Sequence, residues 1–254
     1  MSEHISVLLH ESIDGLAIKE RDTIVDGTFG GGGHSKVILD EYPQVKLICV
    51  DLDEAAEDRF VRIIGNRATF VSANFKDAPY IMERANVSSV DKVLLDLGTS
   101  TFQLLDDTRG FSFQSDTPLQ MTFAQAGSHT GFTAWDIINT WDESSIADII
   151  YAYGEDRSSR KIARAIVQAR DRGDINTSSE LASIIVAACK SRGRIHPATK
   201  TFQALRIAVN DELAVITEAL DAWWSVLNPG GRIAVITFHS LEDRIVKRWM
   251  KSHE

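Results

Sequence analysis

Cysteine is all but missing from this chain of 254 residues. The two present, Cys49 and Cys189, each sit inside an apolar stretch. So small a count argues against a disulfide framework and a thiolate metal site, and points to two small buried thiols. Long apolar runs are missing too. Ser183-Ile-Ile-Val-Ala-Ala-Cys189 is among the longest, far below the roughly 20 residues that a membrane span requires. The start, Met1-Ser-Glu-His-Ile-Ser-Val7, carries an acid and no basic n-region. It predicts no cleaved secretion signal, a cytoplasmic location and no membrane partner. Neither an internal repeat nor a low-complexity segment stands out. Apolar residues at 44% and charged residues at 25% exclude disorder as the main state.

Positive charge is scarce and unevenly placed. There are 27 Lys and Arg against 36 Asp and Glu, a net charge of −9 that taken alone argues against a general nucleic-acid binder. Ten of those cations, with only three acids, fall between Arg157 and Lys200, leaving 17 cations and 33 acids elsewhere. A basic block in an acidic chain attracts phosphate locally, while the remainder limits indiscriminate sticking. Read by charge alone, the same block is a solvated helix face.

Five short aliphatic runs look like parallel strands buried on both faces: Thr23–Asp26, Val45–Asp51, Ala68–Ser72, Lys92–Asp96 and, far downstream, Arg232–Phe238. Helical patterns separate them, which predicts a doubly wound α/β sheet. Between Asp96 and Arg232 the strand signal disappears. Thr140-x-x-Glu143 and Thr177-x-x-Glu180 both have capping-box spacing, and Ile162, Ala163, Ile166 and Val167 have helical spacing. One long helix is expected from about Thr201 through Trp224, ended by Asn228-Pro-Gly-Gly231. The economical organisation is a sheet domain made of 1–105 and 200–254, with a helical domain, 106–199, inserted.

Asp26-Gly-Thr-Phe-Gly-Gly-Gly-Gly-His34 follows the first strand and precedes a helix. Glycines serve where the backbone takes positive φ or where a ligand approaches without a Cβ in the way. A phosphate-gripping P-loop would place lysine directly after the glycines, where His34 stands. A full dinucleotide fingerprint is missing as well, because Ser35 occupies the third glycine position after Gly30 and Gly32. Asp51 lies 21 residues after Gly30, at the end of the second strand, where an acid can bind both hydroxyls of an adenosine ribose. With Asp26 and Asp96 it makes a carboxylate-lined crevice, better suited to the cationic or neutral character of S-adenosyl-L-methionine than to a pyrophosphate. NAD is the second choice.

A set of motifs occurs in one order along the whole chain. It runs from His4-Ile-Ser-Val-Leu-Leu9 through the glycine loop, Leu94-Leu-Asp-Leu-Gly98, Arg109-Gly-Phe-Ser-Phe113, Tyr153-Gly-Glu-Asp156 and Ile162-Ala-Arg-Ala-Ile166. It continues through His196-Pro-Ala-Thr-Lys-Thr-Phe-Gln-Ala-Leu-Arg206 and Val209-Asn210 to Phe238-His-Ser-Leu-Glu-Asp-Arg-Ile-Val-Lys-Arg248. Together they resemble the bacterial ribosomal-RNA small-subunit methyltransferase H family, which methylates N4 of one cytidine in the decoding region. The resemblance implies a class I, Rossmann-like methyltransferase sheet with an inserted helical substrate-recognition domain. It implies small-subunit ribosomal RNA or the 30S subunit as partner, and admits a homodimer. It implies cofactor contacts at Gly32, Gly33, His34, Asp51, Phe75, Asp96 and Gln103, with Phe75 over the adenine face.

Cytosine N4 is a poor nucleophile, so its methylation needs in-line placement and an acceptor for the amine proton. No Asn-Pro-Pro-Tyr or Asp-Pro-Pro-Tyr is present. Asp96 stands in the analogous place and is the candidate catalytic residue; its plainer role is a strand-end carboxylate satisfied by nearby N–H groups. The base must leave its stack to reach the crevice. Arg109, Phe111, Phe113, His196 and His239 are candidates to receive it, with Lys190, Arg192, Arg194 and Lys200 on the RNA backbone. Phe111 and Phe113 read equally well as core residues, His34 as a helix-start residue, and Ser240-x-x-Asp243 as a helix cap. No ligand cluster argues for a metal. Thr99-Ser-Thr-Phe-Gln-Leu-Leu105, 116–123 and Lys200 depart from the family's usual residues, and the family's chains run on past the position of Glu254. Two other functions stay open: an NAD-dependent oxidoreductase using the same crevice, and a catalytically silent RNA-binding or ribosome-assembly protein.

Overall fold

A computed structural model describes residues 6–104, 106, 108–114, 116–123, 131–189 and 195–253. In chain order the elements are α1 (Leu9–Leu16), β1 (Thr23–Asp26), α2 (Gly33–Glu41), β2 (Lys46–Asp51), α3 (Ala55–Ile63), β3 (Thr69–Ser72), α4 (Ala78–Ala85), β4 (Val90–Asp96) and α5 (Thr101–Leu104). There follow α6 (Ala134–Thr140), α7 (Glu143–Gly154), α8 (Ser159–Arg170), α9 (Ser178–Ala188), α10 (Thr199–Asn210), α11 (Glu212–Val226), β5 (Leu227–Ile236) and α12 (Ser240–Ser252). They form two compact units, residues 1–100 with 213–254 and residues 101–212.

The first unit is built on an all-parallel sheet in the order β3-β2-β1-β4-β5. Its strands are apolar on both faces because both faces are covered, and alternate residues go to opposite sides. Val25, Ile48, Val50, Val93 and Leu95 join a cluster with Ile81, Leu220 and Trp223 from α4 and α11. Ile24, Leu47, Cys49 and Leu94 join one with Leu16, Ile38 and Phe60 from α1, α2 and α3. This is the doubly wound α/β arrangement. Each such side chain contributes about 1.5–3 kcal/mol on burial.

Three local expectations are corrected. The single helix expected across Thr201–Trp224 is two, α10 and α11, because Asp211 takes a left-handed φ of 50° that ends the first. Asn228-Pro-Gly-Gly231 is not a turn ahead of the last strand but a bulge within it. Val90 pairs with Leu227 and Lys92 already with Arg232, so three surplus residues of β5 loop out. Asn228 Nδ2 donates to Asp91 Oδ1 at 2.8 Å, and a Cβ on Gly231 would lie 2.8 Å from the Asp91 carbonyl oxygen. Thr140 ends α6, and Asp142, not Thr140, caps α7 by accepting the Ser145 N–H at 2.9 Å. The Thr177–Glu180 capping box forms as its spacing predicts. Cys49 is buried and Cys189 half-buried.

The second unit, read by itself, is helical. Ile137, Ile146, Ile150, Ile162, Ile166, Leu181, Ile185 and Leu205 meet in one core. Asn139 fastens the segment before α9, donating to the Ile175 carbonyl and accepting the Ile175 N–H, both at 2.9 Å. No helix among the described residues is long and apolar enough to cross a membrane.

Candidate active site

β1 and β4 lie side by side, while the chain leaves β1 toward β2 and leaves β4 toward β5. Open parallel sheets bind ligands in the crevice that such a switch point leaves at the carboxyl ends of its strands. Asp26, Asp51 and Asp96 are the last residues of β1, β2 and β4.

The loop after β1 is stitched into this edge. Gly27 N–H donates to the Leu94 carbonyl and Phe29 N–H to the Val50 carbonyl, both at 2.9 Å. Asp51 Oδ2 accepts the Gly30 N–H at 2.7 Å and Oδ1 accepts the Asp53 N–H at 2.9 Å. Burial pushes the Asp51 carboxyl up to about 6 against the pull of those two bonds. Each oxygen keeps a lone-pair direction for a further donor. Asp26 is buried; it accepts Ser35 Oγ–H at 2.6 Å, and burial raises its carboxyl above the ordinary range. Gly32 starts α2 with a φ of 75°, and a Cβ there would lie 2.6 Å from the Phe29 ring; a Cβ on Gly33 would collide with Ser6 Oγ.

Asp96 is the least satisfied of the three. Its N–H donates to Thr28 Oγ1 at 2.6 Å, but its carboxylate Oδ1 is buried with no hydrogen-bond partner among the described residues. Oδ2 lies 3.9 Å from His34 Nδ1, and His34 Nε2 lies 3.2 Å from the Val7 carbonyl oxygen. Since a carbonyl only accepts, Nε2 carries the proton and Nδ1 faces Asp96. Burial first, then the charges of Asp26 and Glu242, raise the Asp96 carboxyl to about 7. Among the described residues no N–H reaches Oδ1, so that oxygen is not held in the way a purely structural strand-end carboxylate would be.

Phe75 follows β3, half-buried, and its carbonyl accepts the Trp223 indole N–H at 2.7 Å. His239 lies beyond the end of β5 and is itself the N-cap of α12. It forms a capping box with Glu242, in place of the Ser240–Asp243 pair expected. Glu242 is 1% exposed and Oε2 accepts the Phe238 N–H at 2.7 Å.

The remaining candidates belong to the second unit. Gln103 is buried on α5. Arg109 is buried, with Nε donating to Asp106 Oδ2 and a terminal nitrogen to the Phe123 carbonyl, both at 2.8 Å. Phe111 lies in the helical core, stacked on Phe123. Phe113 stacks on the exposed His196 with ring centres 4.5 Å apart. Lys200 Nζ donates to the Glu155 carbonyl at 2.9 Å. Lys190, Arg192 and Arg194 lie outside the described residues.

Thr28, Arg59 and Glu242 also build the first unit's edge, and sequence reasoning overlooked them. Arg59, buried on α3, holds the Gly30 carbonyl at 2.9 Å and Asp53 Oδ2 at 3.4 Å. Thr28 sat inside the quoted glycine motif, and Glu242 stood at capping-box spacing from His239. Arg59 offered no such signal.

A family model described as the MraW methylase family matches residues 1–254. The chain belongs to that family. It is 48% identical over 99% of its length to the ribosomal RNA small subunit methyltransferase H of Deinococcus deserti, covering 82% of that relative. It is 46% identical to the protein of the same description from Methylobacterium sp., with 98% and 74% of the two chains covered. Against the one from Paenibacillus sp. the figures are 45%, 100% and 83%. The MraW methylase match takes in both compact units, so every candidate residue described above lies within it.

Proposed function

We propose that this MraW methylase family member transfers a methyl group from S-adenosyl-L-methionine to N4 of a cytidine in small-subunit ribosomal RNA. The observation that carries the reading is the carboxylate-lined switch-point crevice, with Asp96 Oδ1 buried and without a hydrogen-bond partner among the described residues, beside His34. A cationic donor suits that edge, whereas Asp26 and Asp96 would repel a pyrophosphate. Asp51 would hold the ribose through the lone pairs left on its two oxygens, Gly32 and Gly33 would let the backbone approach the methionine part, and Phe75 would cover the adenine. Gln103 takes its cofactor role from the resemblance alone. When bound, the sulfonium supplies an electrophilic methyl.

The chain's own contribution is positioning and one proton. Asp96, ionised, accepts a hydrogen bond from the exocyclic amine, turns its lone pair toward the methyl and holds the proton released. In the second unit the Phe113–His196 stack offers an aromatic surface for a base, while Arg109 and Phe111 serve the fold around it.

The test is purified protein with methyl-labelled S-adenosyl-L-methionine and small-subunit ribosomal RNA, followed by nucleoside analysis. N4-methylcytidine is expected from the wild type and none from Asp51→Ala. Label in another nucleoside overturns the N4 assignment. NADH binding without methyl transfer overturns the whole reading.

A further inference from the structure

The outer side of α8 carries charge of one sign. Arg160, Lys161 and Arg164 are exposed, whereas Ile162, Ala163 and Ile166 on the opposite side are buried in the helical core. At 3.6 residues per turn those three cations fall within roughly 100° of arc. Arg157, also exposed, leads into them, and from 157 to 172 there are six cations and one acid, Asp171.

The fold does not profit from this pattern. The first turn of α8 has no acid and holds Arg160 and Lys161, at the end where the helix dipole favours negative charge. The neighbouring α7 and α9 begin in the favoured way, with Glu143 and Glu180. Arg160 and Arg164 are also like charges at i,i+4. Among the described residues Arg157, Arg160 and Lys161 make no ion pair, and Arg164 makes one, at 3.4 Å with the exposed Glu143. Asp142, Glu143 and Asp148 share a cleft with Arg160 and Arg164, and neither Arg157 nor Lys161 lines it. Arg170 shows what a structurally employed cation of this helix looks like: it donates to the Ile138 carbonyl at 2.7 Å. Guanidinium groups bind phosphate oxygens in bidentate fashion, and in a chain of net charge −9 a local cationic patch is where a polyanion is attracted.

We infer that Arg157, Arg160, Lys161 and Arg164 form a track for the phosphodiester backbone of the RNA substrate, gripping by charge without reading bases. The inference rests on the RNA-methyltransferase reading above and specifies where its substrate is held.

The experiment compares the wild type, R157Q/R160Q/K161Q, and a control with equal charge removed elsewhere, K19Q/R21Q/R84Q, all six sites being exposed. Binding of a fluorescent small-subunit ribosomal RNA fragment is followed from 0.05 to 0.3 M salt (about the range where screening changes most). Loss of three phosphate contacts makes the log–log salt slope shallower by about 2 and weakens binding roughly 10- to 100-fold at 0.1 M salt. The α8 variant is expected to show this, with raised KM for RNA, unchanged kcat and unchanged S-adenosyl-L-methionine affinity; the control keeps the wild-type slope. If the α8 variant keeps the wild-type slope while the wild type methylates RNA, the track is wrong and the methyltransferase reading stands. If the α8 cations hold RNA but the wild type transfers no methyl, the reading falls and the track stands. Wild-type binding to phosphatidylserine vesicles but to no RNA overturns both.

Discussion

The carboxyl edge of the first unit and the outer side of α8 hold their charges in opposite ways. Asp26 is buried and Asp51 and Asp96 are half-buried; they are oriented by named hydrogen bonds or, at Asp96 Oδ1, left without a partner among the described residues, and all three are raised in pKa by burial. The α8 cations stand in solvent on long flexible stems. A charge meant to meet one atom of a small molecule is fixed before the ligand arrives, since disorder there would cost orientation. Charges meant to capture a long polyanion work at a distance of a Debye length, about 8–10 Å, and need no fixed partner.

That contrast can be broken experimentally, most severely through the core beneath the carboxylates. Trp223→Ala removes a fully buried indole and orphans the Phe75 carbonyl, so a loss of about 3–5 kcal/mol is expected in urea denaturation. Asp51→Ala comes next. It deletes two acceptors for a ribose and releases Gly30, so S-adenosyl-L-methionine affinity should fall about 100-fold or more by calorimetry, with RNA salt slope unchanged.

Asp96 sharpens the comparison through pH. With its carboxyl near 7, kcat/KM should rise across roughly pH 6–8 as the acceptor ionises, and Asp96→Asn should abolish that limb along with most activity. Stability moves the other way. The folded pKa lies above the unfolded one, so the native state binds more protons between about pH 4 and 7, and stability falls as pH rises through that window. Asp96→Asn should therefore raise Tm more at pH 8 than at pH 5 in thermal scans. The smallest effect belongs to the second unit: Thr177→Ala breaks the capping box of α9 at a cost of about 1 kcal/mol and leaves cofactor affinity alone.

The sheet was legible because buried parallel strands write themselves as aliphatic runs, and Asp51 because the distance from a glycine loop to the next strand end is set by one βαβ unit. The break at Asp211 was hidden. Its left-handed backbone costs little for an aspartate, and the apolar spacing continues across it from Val209 to Leu213. The bulge in β5 was misread since Asn-Pro-Gly-Gly signals a turn, whether it ends a strand or interrupts one. Arg59 was hidden because a buried arginine on a helix is recognised only by the carbonyl it meets.

The discontinuity of the first unit has a consequence for how the molecule comes off the ribosome. Leu94 pairs with Ala234, so at about 5–20 residues per second β4 waits on the order of ten seconds for its neighbour. Residues 101–212 need no such delay, being contiguous. The helical unit is whole while the sheet still has an open edge, and nascent-chain aggregation, where it occurs, should begin at β4.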